Sequence, residues 1–321
     1  MRINIRSASA LLQVFIIFVC TTCHQPLLGL DIGMTAAGHE DTHLTENLQK
    51  LITGFPGTAG IYVRHLASGR TAEIRADELF PTASMIKIPI LLSLFERIES
   101  GTITYDEEFV YRDSLYYPGE DILGSFKDGE KILLSKLVML MITMSDNTAS
   151  LWCQHLAGTG LQINQWLSEH GFEKTRMNSR TPDRRKDWET YGWGQTTPRE
   201  MAELLVMIRE GKAVSAAASE EMYRVLCNIY WNGEALSQIP PYIQAASKQG
   251  AVDESRSEVV LVNAPSGDYV FCVITKNQKD TSWEYENEGY VLIRAVSRYL
   301  WHYFEPASDW QPAPGFEKWA K

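Results

Sequence analysis

Phe80-Pro81-Thr82-Ala83-Ser84-Met85-Ile86-Lys87 is the stretch on which the reading of this chain turns. It sets a serine at the start of an apolar helical pattern, 85–99, and a lysine three residues further on. Side chains at i and i+3 share a helix face, so the two can meet. A serine hydroxyl is a poor nucleophile near neutral pH and needs a neighbouring base. A lysine held out of water can be that base, and a helix N-terminus stabilises developing negative charge. A capping serine followed by a solvent-seeking lysine has the same spacing, so the pair acquires weight only from its surroundings.

Two later stretches supply that weight. Ser145-Asp146-Asn147 follows a helical pattern over 133–144, and Lys248-Gln249-Gly250 lies on a strand-like run ahead of a polar turn. Around them, apolar spacing predicts a helix over 45–52, then strands at 60–63 and 70–74 about a Ser68-Gly69 turn. Helical patterns at 160–170, 198–210 and 215–227 lead to strands at 242–248, 258–263 and 269–275 and a closing helix over 286–304. Strands at both ends with helices between them predict an α/β fold in which the termini complete one sheet and a helical region is inserted.

Composition agrees with a globular protein. Of 321 residues, 45% are hydrophobic and 22% charged, which excludes disorder, collagen and a coiled coil. A net charge of −10 argues against nucleic-acid binding and points to a small-molecule or peptide substrate.

The first 22 residues read as an export signal. Arg2 and Arg6 precede an apolar run over 10–19 broken only by Gln13, too short for a stable membrane anchor. Its removal leaves 28 basic against 40 acidic residues, a net charge of −12. Val19-Cys20-Thr21-Thr22-Cys23 resembles a loose lipoprotein cleavage site with Cys23 as the acylated residue, and ordinary cleavage to a soluble periplasmic protein is the alternative. A polar segment then runs over 23–44, one domain over 45–305 with its helical lobe at about 84–230, and a tail over 306–321. If Cys23 carries lipid, Cys153, Cys227 and Cys272 remain, an odd number without metal-ligand spacing, so buried free thiols are expected.

His39-Glu40-Asp41-Thr42-His43 matches the H-E-x-x-H pattern of zinc proteases. Its context is polar, it follows Gly38, and no third ligand is recognisable nearby, so it reads as an exposed helix start. No metal or other cofactor is expected.

Ser-x-x-Lys, Ser-Asp-Asn and Lys-x-Gly in this order resemble the motif set of class A β-lactamases and penicillin-binding proteins. Arg75-Ala76-Asp77-Glu78-Leu79-Phe80-Pro81, Asn147-Thr148-Ala149 and Thr196-Thr197-Pro198 resemble the same family, and the likeness covers about residues 45–304. It implies a two-lobed fold, a five-stranded antiparallel sheet plus an all-helical region, with the site between them. It also implies roles. Ser84 would be acylated, Lys87 would act as base or proton relay, and Ser145 would pass a proton to the leaving nitrogen under the influence of Lys248. Asn147 would hold the acylamino side chain and Asp146 the loop. The amides of Ser84 and Ala251, beside Gly250, would form the oxyanion hole. Arg256 would bind the substrate carboxylate. The implied partner is a β-lactam or a cell-wall peptide, met by a monomer whose contact with a membrane would come only through Cys23.

Two departures from that family bear on function. Gln249 stands where a Thr or Ser is usual, replacing a hydroxyl donor with a longer amide. In the loop before Pro198, gapless alignment puts Thr181 where class A enzymes carry the Glu that activates the deacylating water, and Arg185 at the accompanying Asn. Neither can act as a carboxylate base, and Glu189 is the nearby Glu that could do so if the loop folds differently. The readings are therefore a β-lactamase with slow turnover, a D-Ala-D-Ala peptidase or esterase on the same scaffold, or an acylated β-lactam sensor. On each, Ser84→Ala is expected to abolish labelling by a fluorescent penicillin while His39→Ala leaves it unchanged. Loss of activity with a chelator, restored by metal, would overturn the serine reading.

Overall fold

The structure, a computed structural model, describes residues 39–119 and 121–320. The expected export signal and Cys23 lie outside the described residues. The first element is β1 (His39–Glu40), after which the Asp41 carboxylate accepts the Leu44 amide at 3.0 Å and caps α1 (Thr42–Leu51). The H-E-x-x-H segment is thereby split. His39 lies on a strand, and His43 lies inside a helix, where it stacks on Tyr303. The shared helix face that a zinc pair needs is not formed.

Two strands, β2 (Thr58–His65) and β3 (Arg70–Ile74), follow about the expected turn, where Gly69 takes a φ of 69°. The chain then passes through β4 (Phe80–Pro81), a single tight turn at Ala83–Ile86 and α2 (Lys87–Glu99). A small hairpin, β5 (Glu108–Val110) with β6 (Lys131–Leu133), leads to α3 (Leu134–Thr143), α4 (Asn147–Leu156) and α5 (Thr159–Glu169). Next come β7 (Arg176–Met177), α6 (Arg185–Tyr191), β8 (Gly194–Thr196), α7 (Pro198–Arg209) and α8 (Ala216–Leu226). The sheet is completed by β9 (Ala245–Val252), β10 (Ser255–Val262) and β11 (Tyr269–Lys276), and α9 (Glu288–Phe304) closes the fold.

The main sheet runs β1-β3-β2-β11-β10-β9. The five longer strands are antiparallel, as expected, but β1 adds a sixth strand parallel to β3, so the sheet is mixed. The fold therefore begins before the expected boundary at 45. Helix α4 begins where the sequence showed only a motif, and α6 rises from a stretch read as loop. The strand expected over 242–248 is shifted to 245–252, carrying Lys248-Gln249-Gly250 wholly within β9.

Both faces of the sheet are covered. Along β11, Val270, Cys272 and Ile274 join the core shared with the helical lobe, whereas Tyr269, Phe271 and Val273 join the core under α1 and α9. This period-two division explains why the strand reads as an unbroken apolar run rather than an alternating one. Cys153 and Cys272 are free and buried, and Cys227 is free and half-buried.

Gly60 fixes how the helical lobe meets the sheet. A Cβ there would stand 2.7 Å from the Phe80 ring and 2.9 Å from Pro198 Cγ, so the absent side chain admits both β4 and the start of α7. Thr197 caps that helix, accepting the Glu200 amide at 3.1 Å, with Pro198 in its first turn. Gly60→Ala should cost about 1–3 kcal/mol through overpacking. The check is a lower midpoint in urea at unchanged slope.

Candidate active site

Three segments distant in sequence meet in the cleft between the sheet and the helical lobe. The nucleophile turn comes first. Ala83, immediately before Ser84, has a φ of 44°, a conformation rare for a residue with a Cβ and a form of local strain that surrounding structure must hold. Gly250 lets β9 come against that turn, because a Cβ on it would lie 2.7 Å from the Thr82 carbonyl oxygen. The motifs of residues 84 and 248–250 are thus pressed together by a missing methyl group.

Lys87, at the first position of α2, reaches across the cleft. Its Nζ donates to Ser84 Oγ at 3.1 Å, to Ser145 Oγ at 3.1 Å, to Asn147 Oδ1 at 2.9 Å and to the Ser145 carbonyl oxygen. From the sheet side, Lys248 Nζ donates to Ser145 Oγ at 3.0 Å and to Gln249 Oε1 at 3.0 Å. The Ser145 hydroxyl therefore sits between two lysine amino groups, on a residue whose own φ is 58°. Ser84, Lys87, Ser145, Asn147, Lys248, Gln249 and Gly250 are all brought together.

Both lysines are fully buried. Burial pushes Lys87 down to about 7, only partly opposed by the carboxylates of Asp121 and Asp146. Lys248 is driven well down too, first by burial and then by the charge of Lys87, with Glu258 opposing. Glu258 is itself pushed up to about 7 by burial, although Ser247 Oγ and the Ala235 amide donate to it at 2.6 and 2.8 Å. A lysine near neutrality at pH 7 beside a serine hydroxyl can take its proton, and a second can stabilise the charge that results.

Asp146 caps α4, accepting the amides of Ala149 at 2.7 Å and Leu123 at 2.8 Å. It ties the loop before β6 to the motif helix. A cavity of about 490 Å³ opens over Ser84, Ser145, Asn147, Gln249, Gly250 and Ala251. Its far wall was not legible from local pattern. Asp121, Trp231, Glu234, Trp283, Tyr285 and Tyr290 come from connecting loops and the start of α9, and Ala320 from the tail.

Other expected residues go elsewhere. Arg256 is fully buried, donating to the carbonyl oxygens of Val252 at 2.7 Å, Ser255 at 2.8 Å and Ser282 at 2.5 Å, with its guanidinium over the rings of Trp283 and Tyr290. It closes the β9–β10 turn onto the loop before α9 and is not among the cavity-lining residues. Thr181 packs on α5, its Oγ1 1.7 Å from where a Gly160 Cβ would stand. Arg185 and Glu189 pair with each other at 2.7 Å on the exposed face of α6, and none of the three lines the cavity.

The sequence profile of the β-lactamase enzyme family matches residues 43–304. The chain belongs to that family. It is similar to β-lactamase VEB-1 of Pseudomonas aeruginosa, 21% identical over 87% of this chain and 96% of that protein. Among solved structures, PBP-A is 29% identical and superposes with a TM-score of 0.74, covering 84% of this chain and 98% of PBP-A. A single-substitution variant of PBP-A, solved as an acyl-enzyme complex with penicillin G, is 28% identical with a TM-score of 0.75 over the same shares of the two chains. The family and its class A relatives make this chain a β-lactamase-like hydrolase by kinship and fold.

The burial of Lys87 generates a prediction. If neutral Lys87 is the base, the acylation rate should be present above about pH 7 and fall tenfold per unit as pH drops below it, since protonation removes the base. Lys87→Arg should lose acylation by 10²-fold or more, on the order expected for a lost general base, because a guanidinium keeps its proton. Stopped-flow acylation across pH 5–9, with circular dichroism to show that the variant folds, provides the check.

Proposed function

We propose that the protein is a serine hydrolase that is acylated at Ser84 by β-lactams and deacylates slowly. The observation that carries this reading is Lys87 Nζ within hydrogen-bond reach of Ser84 Oγ, Ser145 Oγ and Asn147 Oδ1, with Lys248 on the far side of Ser145. Lys87 takes the Ser84 proton as Oγ attacks the strained amide carbonyl. The Oγ–C bond forms, the C–N bond breaks, and the proton reaches the leaving nitrogen through Ser145 Oγ. On this reading the amides of Ser84 and Ala251, both lining the cavity, are the donors to the developing oxyanion, a contribution of roughly 3–4 kcal/mol per donor in serine enzymes. Asn147 gives its Oδ1 to Lys87 and keeps its NH₂ for the carbonyl of an acylamino side chain.

Slow deacylation follows from the loop. Thr181 is spent on packing against α5, and Glu189 is paired with Arg185 in solvent, so neither brings a base to the water that must attack the ester. General-base help is typically worth 10²–10⁴-fold. The similarity to PBP-A, a variant of which was trapped as its penicillin G acyl-enzyme, supports the same chemistry here. A D-Ala-D-Ala peptidase or an esterase would use the same acylation apparatus, and an acylated sensor would use it once.

Intact-mass spectrometry during reaction with excess penicillin should show nearly all protein carrying one acyl group, after a stoichiometric burst in nitrocefin hydrolysis. Glu189→Gln should leave both burst and steady state unchanged. Mostly unmodified protein under fast hydrolysis would overturn the slow step, and trapping by Glu189→Gln would make Glu189 the base.

A further inference from the structure

The connecting segment 227–245 borders two cavities. Its Trp231 and Glu234 line the one over Ser84, whereas Cys227, Ile239, Pro240 and Tyr242 line a second, of about 680 Å³. The segment also bridges the two lobes. The Tyr230 amide donates to the Thr143 carbonyl at 3.1 Å and Trp231 Nε1 to the Met144 carbonyl at 2.7 Å, just ahead of Ser145. Four residues on, the Ala235 amide donates to Glu258 at 2.8 Å, the residue of β10 that stands opposite Gln249 in the register with β9. The segment therefore walls the cleft on the side of the third motif.

The tail after α9 lies against this segment. Its Trp310, Pro312 and Phe316, all half-buried, line the second cavity together with the residues just named. The tail is tied on at its start, where Trp301 Nε1 of α9 donates to Ser308 Oγ at 3.1 Å. From Trp310 onward, the bonded backbone amides among the described residues all bond within the tail, to Ser308 Oγ, Ala313, Gly315 and Phe316. Gly315, with a φ of 87°, leads into a single tight turn at Phe316–Lys318, and half-buried Ala320 then joins the lining of the cavity over Ser84. Phe316 and Ala320 are at most about 14 Å of chain apart, so the anchor and the lining residue are closely coupled. An element packed by side chains outside the sheet ladder detaches at a fraction of the cost of unfolding the domain. The tail also lies beyond residues 43–304, the stretch matched by the family profile, so kinship assigns it no role.

A cavity of about 490 Å³ is of the size that encloses a drug-sized ligand. Ala320 takes up part of its wall, and a larger group there would have to displace the tail. We propose that the tail is a specificity-determining strap: anchored by Trp310 and Phe316, it holds Ala320 at the wall formed with Trp231 and Glu234 and limits the site to acyl donors that are compact on the third-motif side. This deepens the preceding proposal and rests on acylation at Ser84.

The test uses the full chain and two cephalosporins with the same acyl side chain and the same carboxylate. They differ on the ring carbon beside the carboxylate, which carries a methyl group in one and a large, neutral, non-leaving group in the other. Acylation of Ser84 is followed by intact mass, and the ratio of the two rates is compared between proteins, which cancels the difference in intrinsic reactivity. Ala320→Trp should lower the relative rate of the bulky donor by about tenfold or more, because it overfills the wall. Trp310→Ala combined with Phe316→Ala should free the strap and raise that relative rate by about tenfold or more. Thermal melting by circular dichroism shows that each variant folds, and Ala320→Trp decides the matter by itself if the double variant does not. An unchanged ratio in either folded variant, or a shift in the opposite direction, overturns the proposal. Acylation of the wild-type protein by neither compound overturns the Ser84 reading and this inference with it, whereas acylation by both with a ratio the variants do not move overturns the strap alone.

Discussion

Two lysine amino groups converge on one hydroxyl, and the rest of the structure is arranged to make that tolerable. Lys87 and Lys248 are both fully buried and both within 3.1 Å of Ser145 Oγ. Two charged ammonium groups so placed would repel each other and lose hydration, a cost no single hydrogen bond recovers. The cleft relieves it by lowering the affinity of both for protons and by surrounding them with oxygen acceptors from Ser84, Ser145, Asn147 and Gln249. The same lowering is what turns a lysine into a base at neutral pH, so stability and reactivity here have one physical origin.

That convergence dictates features far from it. Lys87 must come from a helix and Lys248 from a strand, so α2 and β9 have to approach to side-chain reach. Gly250 at the nucleophile turn and Gly60 beneath Phe80 are where the backbones come too close for a Cβ. Ala83 and Ser145 accept left-handed backbone conformations beside the reacting groups. On the face of the sheet under α9, Glu258 is buried with two donors, the Ser247 hydroxyl and the Ala235 amide.

The elements of the fold were legible because burial on one or two faces writes a period into the chain. Helices α1, α2, α3, α5, α7, α8 and α9 and the long strands fall close to where periodicity placed them. The exceptions have reasons. Strand β1 is two residues long and is defined only by its partner β3. Helix α6 buries none of its residues, so it has no apolar stripe to read, and α4 is almost wholly buried, so its apolar positions do not stand out from its polar ones.

By itself the sequence determined the order and chemistry of the motifs: a serine and a lysine one turn apart, a second serine with its asparagine, and a lysine on a late strand. These are local facts, fixed by spacing along one element. Only the tertiary structure decided where the long-range partners go. It closed Arg256 under Trp283 and Tyr290, set Thr181 against Gly160, paired Arg185 with Glu189 away from the cavity, and brought Glu234 and the tail residue Ala320 to its wall. An arginine's destination depends on which carbonyls and rings lie within reach of its long side chain, and these come from segments tens of residues away. Spacing along the chain carries no information about that, whereas packing across it does.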